Sequence, residues 1–142
     1  MDQSTSPGGP AFSFAVRVYW EDTDAGGVVF YANYLKFFER ARTEWLRHLG
    51  FEQERLRHEQ RMLFVVTRTE LQYRAPARLD DQLRVTVRPE PAGRASLVVH
   101  QQAWRGATLL AEGSIRIGCV DADSFRPRRM PDELINTLSQ AG

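Results

Sequence analysis

Two aspartates, Asp22 and Asp24, stand beside the glycine pair Gly26-Gly27, and a helical pattern begins shortly afterwards at Asn33. A carboxylate next to a helix start has the makings of acyl-transfer chemistry. It supplies a nucleophile or a base, while the first N–H groups of the helix lack intrahelical acceptors and can stabilise an oxyanion. Glycines let substrate and backbone approach closely. The same residues also suit a plain turn with a capping aspartate, Asp22 holding the loop, so both readings stand here. No GxSxG elbow, HExxH, Walker loop, GxGxxG or Cys/His zinc spacing occurs, and neither a metal nor another cofactor is expected. The single cysteine, Cys119, lies in the apolar run Ile117 to Val120 and reads as a buried strand residue. His48, His58 and His100 sit on no nucleophile motif. Asp80 and Asp81 occupy a strand-entry turn where both are expected in solvent, without chemistry.

The elements that must position these residues follow from periodicity. Residues 1–10 (MDQSTSPGGP) are rich in Ser, Gly and Pro and read as a flexible tail; residues 11–142 read as one domain. Residues 12–20 suit a first strand and 21–32 a loop. From Asn33, Tyr34, Phe37, Phe38, Ala41, Trp45 and Leu49 recur at helical spacing, with Gly50 as the stop and an Arg40–Glu44 pair off the stripe. Residues 51–61 suit a second, short helix. The period then becomes two: Leu63, Val65, Thr67, Thr69, Leu71 and Tyr73 fall on one strand face, and Pro76 with Asp80-Asp81 closes the strand in a turn. Further strands are expected over 83–87, 97–104 and 109–120, with turns at Ala92-Gly93 and Gly106, and a last short helix over 131–138. A strand, a long helix and then strands pairing consecutively by hairpins give an α+β fold, an antiparallel sheet wrapped around one central helix. The remaining sheet face and edges suit oligomer contacts.

The chain of 142 residues is 42% hydrophobic and 26% charged, enough for one domain with a real core. Nineteen basic against eighteen acidic residues leave a formal charge of +1, which argues against a bulk nucleic-acid binder. No apolar run approaches the ~20 residues of a membrane span. The N-terminus lacks the apolar core of a signal peptide, so a cytoplasmic location is expected.

The stretch VYWEDTDAGGVVFYANY (Val18 to Tyr34), followed by LKFFERARTEWLRHLGF (Leu35 to Phe51), strongly resembles the hotdog-fold acyl-CoA thioesterases of the 4-hydroxybenzoyl-CoA thioesterase type. The resemblance is closest to the branch associated with the bacterial Tol-Pal system, and YRAPARLDD (Tyr73 to Asp81) also looks like that branch. It covers roughly residues 14–130. It implies a curved antiparallel sheet around a long central α-helix and hydrolysis of an acyl-CoA to a free acid and CoA. It also implies subunits paired into a homodimer or homotetramer, with the active site between them. The family's catalytic aspartate falls on Asp24, as nucleophile or as the base that activates water. The backbone N–H that polarises the thioester carbonyl falls on Tyr31, where many members of the branch carry His; this departure bears on acyl preference more than on activity. Gly26, Gly27 and Val28 are implied beside the substrate. The basic turn that holds CoA phosphates matches Arg94 and Ser96, although a solvated hairpin arginine is the plainer alternative. Arg126, Arg128 and Arg129 read as a solvated cluster. Another hotdog branch uses a helical carboxylate, but Glu39 lies in the ERAR run and reads as a surface ion-pair residue.

Two rivals differ in their demands. A hydratase on the same fold needs a histidine near residues 22–34, and none is there. A binding module for acyl thioesters, partnered by acyl carrier protein or other lipid-synthesis proteins, needs no catalyst, and the presence of Asp24 speaks against it. The acyl group, and the choice between CoA and acyl carrier protein, stay open.

Overall fold

Apolar side chains at every second position make strands, and apolar side chains three or four apart make helices. The computed structural model describes residues 12–141, so the expected tail over 1–10 lies outside the described residues. In chain order come β1 (Phe12–Arg17), a 3-10 turn (Trp20–Asp22), α1 (Asn33–His48), α2 (Gln53–Glu59) and β2 (Met62–Tyr73). Then follow β3 (Gln82–Pro91), β4 (Ser96–Arg105), β5 (Thr108–Asp121) and α3 (Asp132–Ala141). The five strands form one antiparallel sheet in the order β1-β3-β4-β5-β2.

The helical stripe does what its spacing requires. Tyr34, Phe37, Phe38, Ala41, Trp45 and Leu46 are buried, and α1 packs against β1 and β3. The sheet answers with Val85, Val87, Val99, Ala103 and Ile115, all within the same core cluster. Gly50 ends the helix as expected: its N–H donates to the Arg47 carbonyl at 3.0 Å and that of Phe51 to Leu46 at 2.8 Å. This paired arrangement satisfies carbonyls that the helix leaves open. Cys119 is a buried strand residue, as read, and burial pushes its thiol pKa up.

Four expectations need correction. β2 does not form a hairpin with β3; it pairs with β5 at the far edge of the sheet. Residues 74–81 are therefore a crossover, held by the Arg74 N–H on the Leu110 carbonyl at 2.8 Å and by the Ala77 carbonyl, which accepts from Val29 N–H at 2.8 Å. The alternation along β2 is broken at Thr67, since Val66 opposes Ile117 while Arg68 opposes Arg116. One inserted residue swaps faces, so Phe64 and Val66, not Leu63 and Val65, share a face with Thr69, Leu71 and Tyr73. Glu44 pairs with Arg47 at 2.5 Å instead of Arg40, being three residues from it on the same helix face. The first strand stops at Arg17, where the chain turns into the 3-10 segment.

β5 approaches β2 closely at Gly113. A Cβ there would lie 2.0 Å from the Glu70 carbonyl oxygen and 2.5 Å from Leu71 Cδ2. Gly113→Ala is expected to destabilise the fold by about 3 kcal/mol or more, the upper range for overpacking, read as a lowered urea midpoint or loss of soluble protein.

Candidate active site

Backbone and side-chain hydrogen bonds shape the loop before α1. Asp22 is only 5% exposed. Its Oδ2 accepts the Tyr19 N–H at 2.9 Å, and its carbonyl accepts the Asn33 side-chain amide at 2.8 Å and the Phe30 N–H at 3.1 Å. Asp22 thus fastens both ends of the loop and turns inward. Within it, Asp24 N–H donates to the Val28 carbonyl at 2.9 Å and Gly27 N–H to the Asp24 carbonyl at 3.0 Å. Gly27 sits at φ +81°, a conformation that favours glycine.

Asp24 itself is exposed. Its Oδ1 accepts the Gly26 N–H at 2.8 Å, with Val28 N–H at a longer 3.5 Å. Oδ2 has no hydrogen-bond partner among the described residues. A Cβ on Gly26 would press to 3.2 Å from Oδ1, so the carboxylate is seated where only a bare backbone fits without displacement. Val28 is half-buried and bridges to Arg78.

Tyr31 lies two residues ahead of α1. Its carbonyl accepts the Tyr34 N–H at 3.3 Å, while its own N–H donates to no acceptor among the described residues. Tyr31 is 61% exposed, and its ring stands 4.8 Å from Phe30 and 5.9 Å from Tyr73, which is 5.6 Å from Tyr34. These rings form an aromatic wall beside the free N–H. Burial raises the phenol pKa of Tyr34 and of Tyr73, so both stay neutral near pH 7. A carboxylate with one free oxygen and an unused backbone N–H, on one short fastened loop, can together attack or hydrate a carbonyl and hold its oxyanion.

Arg94 and Ser96 are not brought to this loop within one chain. Arg94 sits in the turn after Pro91 and Ser96 opens β4, whereas the Asp24 loop touches Arg78 and Ala77 just ahead of Gln82. The length of β3 separates the two ends, about 30 Å at strand rise. Ser96 Oγ donates to the Ala92 carbonyl at 2.9 Å and accepts from Arg116 at 3.3 Å. Glu39 is exposed, and among the described residues it forms no ion pair, contrary to the sequence reading. Asp81 is not fully in solvent either: its Oδ2 accepts from Arg78 N–H at 2.8 Å and Arg105 Nη1 at 2.7 Å. Of the second arginine cluster, Arg128 donates to the Gln60 carbonyl at 2.6 Å and Arg129 pairs with Asp132 at 2.6 Å.

Sequence reading missed Tyr73 at the aromatic wall, because only the β2–β5 pairing carries it there. It also missed Gln101, whose signal was available: a glutamine in register with the inward residues Leu97, Val99 and Ala103.

Residues 18–138 match the model of the thioesterase-like superfamily. The chain belongs to that superfamily. The acyl-CoA thioesterase YbgC of Haemophilus influenzae is 45% identical over 123 residues, 87% of this chain and 90% of that protein. The acyl-CoA thioester hydrolase YbgC of Escherichia coli O6:H1 is also 45% identical, over 91% of this chain and 96% of that protein. Among solved structures, a probable thioesterase from Bartonella henselae superposes with a TM-score of 0.82 at 34% identity, covering 86% of this chain and all of that one. The fold is the hotdog thioesterase fold of this superfamily. Among the described residues no helix is long and apolar enough to cross a membrane.

Two outcomes follow for the site's supports. Tyr34→Phe strands the buried Ala77 N–H, which donates to the Tyr34 hydroxyl at 3.2 Å, and is expected to lower unfolding free energy by about 1–2 kcal/mol in urea titration. For Asp81, burial pushes the carboxyl pKa up, but the Arg105 and Arg78 donors and charges outweigh it and hold the pKa below its ordinary value. That stabilisation is complete above the unfolded value, about pH 4, and is lost as pH falls through the native one. The urea midpoint should therefore fall more steeply below about pH 4 in wild type than in Asp81→Asn.

Proposed function

We propose that the protein hydrolyses acyl-CoA thioesters to a free carboxylic acid and CoA, with Asp24 as the catalytic carboxylate and the Tyr31 backbone N–H as the oxyanion donor. The observation that carries the reading is the pair of unused groups, Asp24 Oδ2 and Tyr31 N–H, on one hydrogen-bonded loop ahead of α1. The relatives' activity and the shared fold support it.

The thioester carbonyl oxygen accepts from Tyr31 N–H, which takes up charge as the carbonyl carbon becomes tetrahedral. Two routes fit this geometry. In the first, Asp24 Oδ2 attacks the carbonyl carbon, the carbon–sulfur bond breaks to release CoA thiolate, and water hydrolyses the resulting anhydride. In the second, Asp24 takes a proton from water, whose oxygen attacks the same carbon; the tetrahedral adduct then collapses with cleavage of the carbon–sulfur bond, and the proton on Asp24 passes to the departing CoA thiolate. Gly26, Gly27 and Val28 form the floor beside the thioester, and the rings of Phe30, Tyr31 and Tyr73 offer an apolar wall.

Arg94 and Ser96 can serve the same thioester only from another copy of the chain, given their place at the opposite end of β3. A homodimer or homotetramer with sites between subunits meets that need, and Arg94 then holds CoA phosphate oxygens.

Thiol release should be measured across short, long and aromatic acyl-CoAs. Asp24→Asn keeps the side chain's size and is expected to cut kcat by ~10²-fold or more, about 2.7 kcal/mol of barrier. Arg94→Ala should raise KM and leave kcat near wild type. Equal rates for wild type and Asp24→Asn would overturn the reading. Tight acyl-CoA binding without turnover by wild type would favour a binding module.

A further inference from the structure

Arg42, on α1, is largely withdrawn from water, and burial lowers its pKa below the ordinary guanidinium value. Among the described residues its one hydrogen bond runs from Nη1 to Gln101 Oε1 at 3.0 Å, and no carboxylate lies within 4.0 Å of it. Glu39, one turn earlier, acts on it only at longer range. Gln101 is 1% exposed, and its Nε2 donates to the Phe38 carbonyl at 3.0 Å. That bond fixes the amide, so Oε1 must face Arg42 and hold the guanidinium in one orientation. A guanidinium carries five N–H donors, and a buried cation without a counter-charge is costly.

Arg42 faces a cleft between α1, α3 and the sheet with a cavity volume of about 90 Å³, open to solvent on one side. Its other walls mix apolar side chains, among them Trp45, Phe64, Val66 and Leu138, with the polar Glu39, Thr43 and Gln53. The cleft is separate from the Asp24 loop: Arg42 lies nine residues beyond Asn33, about 13 Å along the helix.

We infer that this cleft is a binding site for a free carboxylic acid with an apolar body, its carboxylate held by Arg42. A guanidinium matches a carboxylate's two oxygens with parallel donors, and the apolar side chains of the walls match hydrocarbon or aryl surface. Hydrolysis of an acyl-CoA releases an acid of this class, so the site holds product; that role, though not the binding, rests on the thioesterase reading.

The test is calorimetric titration with sodium octanoate and, as its uncharged counterpart, 1-octanol. The proteins are wild type, Asp24→Asn, Arg42→Gln and Leu138→Trp, which adds bulk at the cleft wall. Octanoate is expected to bind wild type and Asp24→Asn alike, octanol at least tenfold more weakly. Arg42→Gln and Leu138→Trp should each weaken octanoate at least tenfold while remaining folded by circular dichroism. If Arg42→Gln does not fold, Leu138→Trp and the octanol comparison still decide. Failure of wild type to bind octanoate, equal affinity for octanoate and octanol, or wild-type affinity in Leu138→Trp would each overturn the inference. Thiol release by Asp24→Asn is scored separately, so failure of the catalytic reading shows there and not in octanoate affinity.

Discussion

Ala77 has a methyl for a side chain and no solvent exposure, yet its backbone joins three segments that are far apart in sequence. Its carbonyl takes the Val29 N–H at 2.8 Å and its N–H reaches the Tyr34 hydroxyl at 3.2 Å. The Asp24 loop, the first turn of α1 and the crossover from β2 to β3 are therefore pinned at one buried point. A buried peptide must have both its polar groups met, so movement of any one segment carries a direct cost. A larger side chain at this position would have to displace the loop or the helix. The place of Asp24 relative to Tyr31 depends on that junction, with Asp22 fastening the loop from the other side.

Polar groups near the helix fall into two kinds. Asp22, Asp81 and Gln101 have their hydrogen bonds met inside the chain and act as structure. Asp24 Oδ2, Tyr31 N–H and most donors of Arg42 are unmet among the described residues, and these are the groups with capacity for a ligand. Proximity to the loop does not separate the kinds, since Asp22 and Asp24 are neighbours. The difference lies in which way the backbone turns each carboxylate, and Gly26 and Gly27 set that turn.

The sequence made some of this legible and hid the rest for physical reasons. The stripe from Tyr34 to Trp45 fixes α1 because helical period is a local property, and Gly50 marks its end by local geometry. The bulge at Thr67, the crossover through Ala77 and the pairing of β2 with β5 depend on residues dozens of positions apart, so alternation alone misassigned Leu63 and Val65. Asp24 stood out through the glycine loop together with family resemblance, and Tyr31 through that resemblance alone. Arg94 and Ser96 came from resemblance alone, and one chain leaves them at the wrong end of β3 to serve its own Asp24. Arg42 and Gln101 drew no notice in the sequence, because their meeting is a tertiary event.

Catalysis as proposed requires Asp24 and the Tyr31 N–H to face the same carbonyl. Its most direct test is a crystal structure of the protein with a ketone analogue of a substrate acyl-CoA, in which a methylene replaces the thioester sulfur. The ketone oxygen is expected about 3 Å from the Tyr31 nitrogen, with the carbonyl carbon, or a water against it, facing Asp24 Oδ2. A carbonyl bound away from both groups, with Tyr31 N–H still unused, would contradict it.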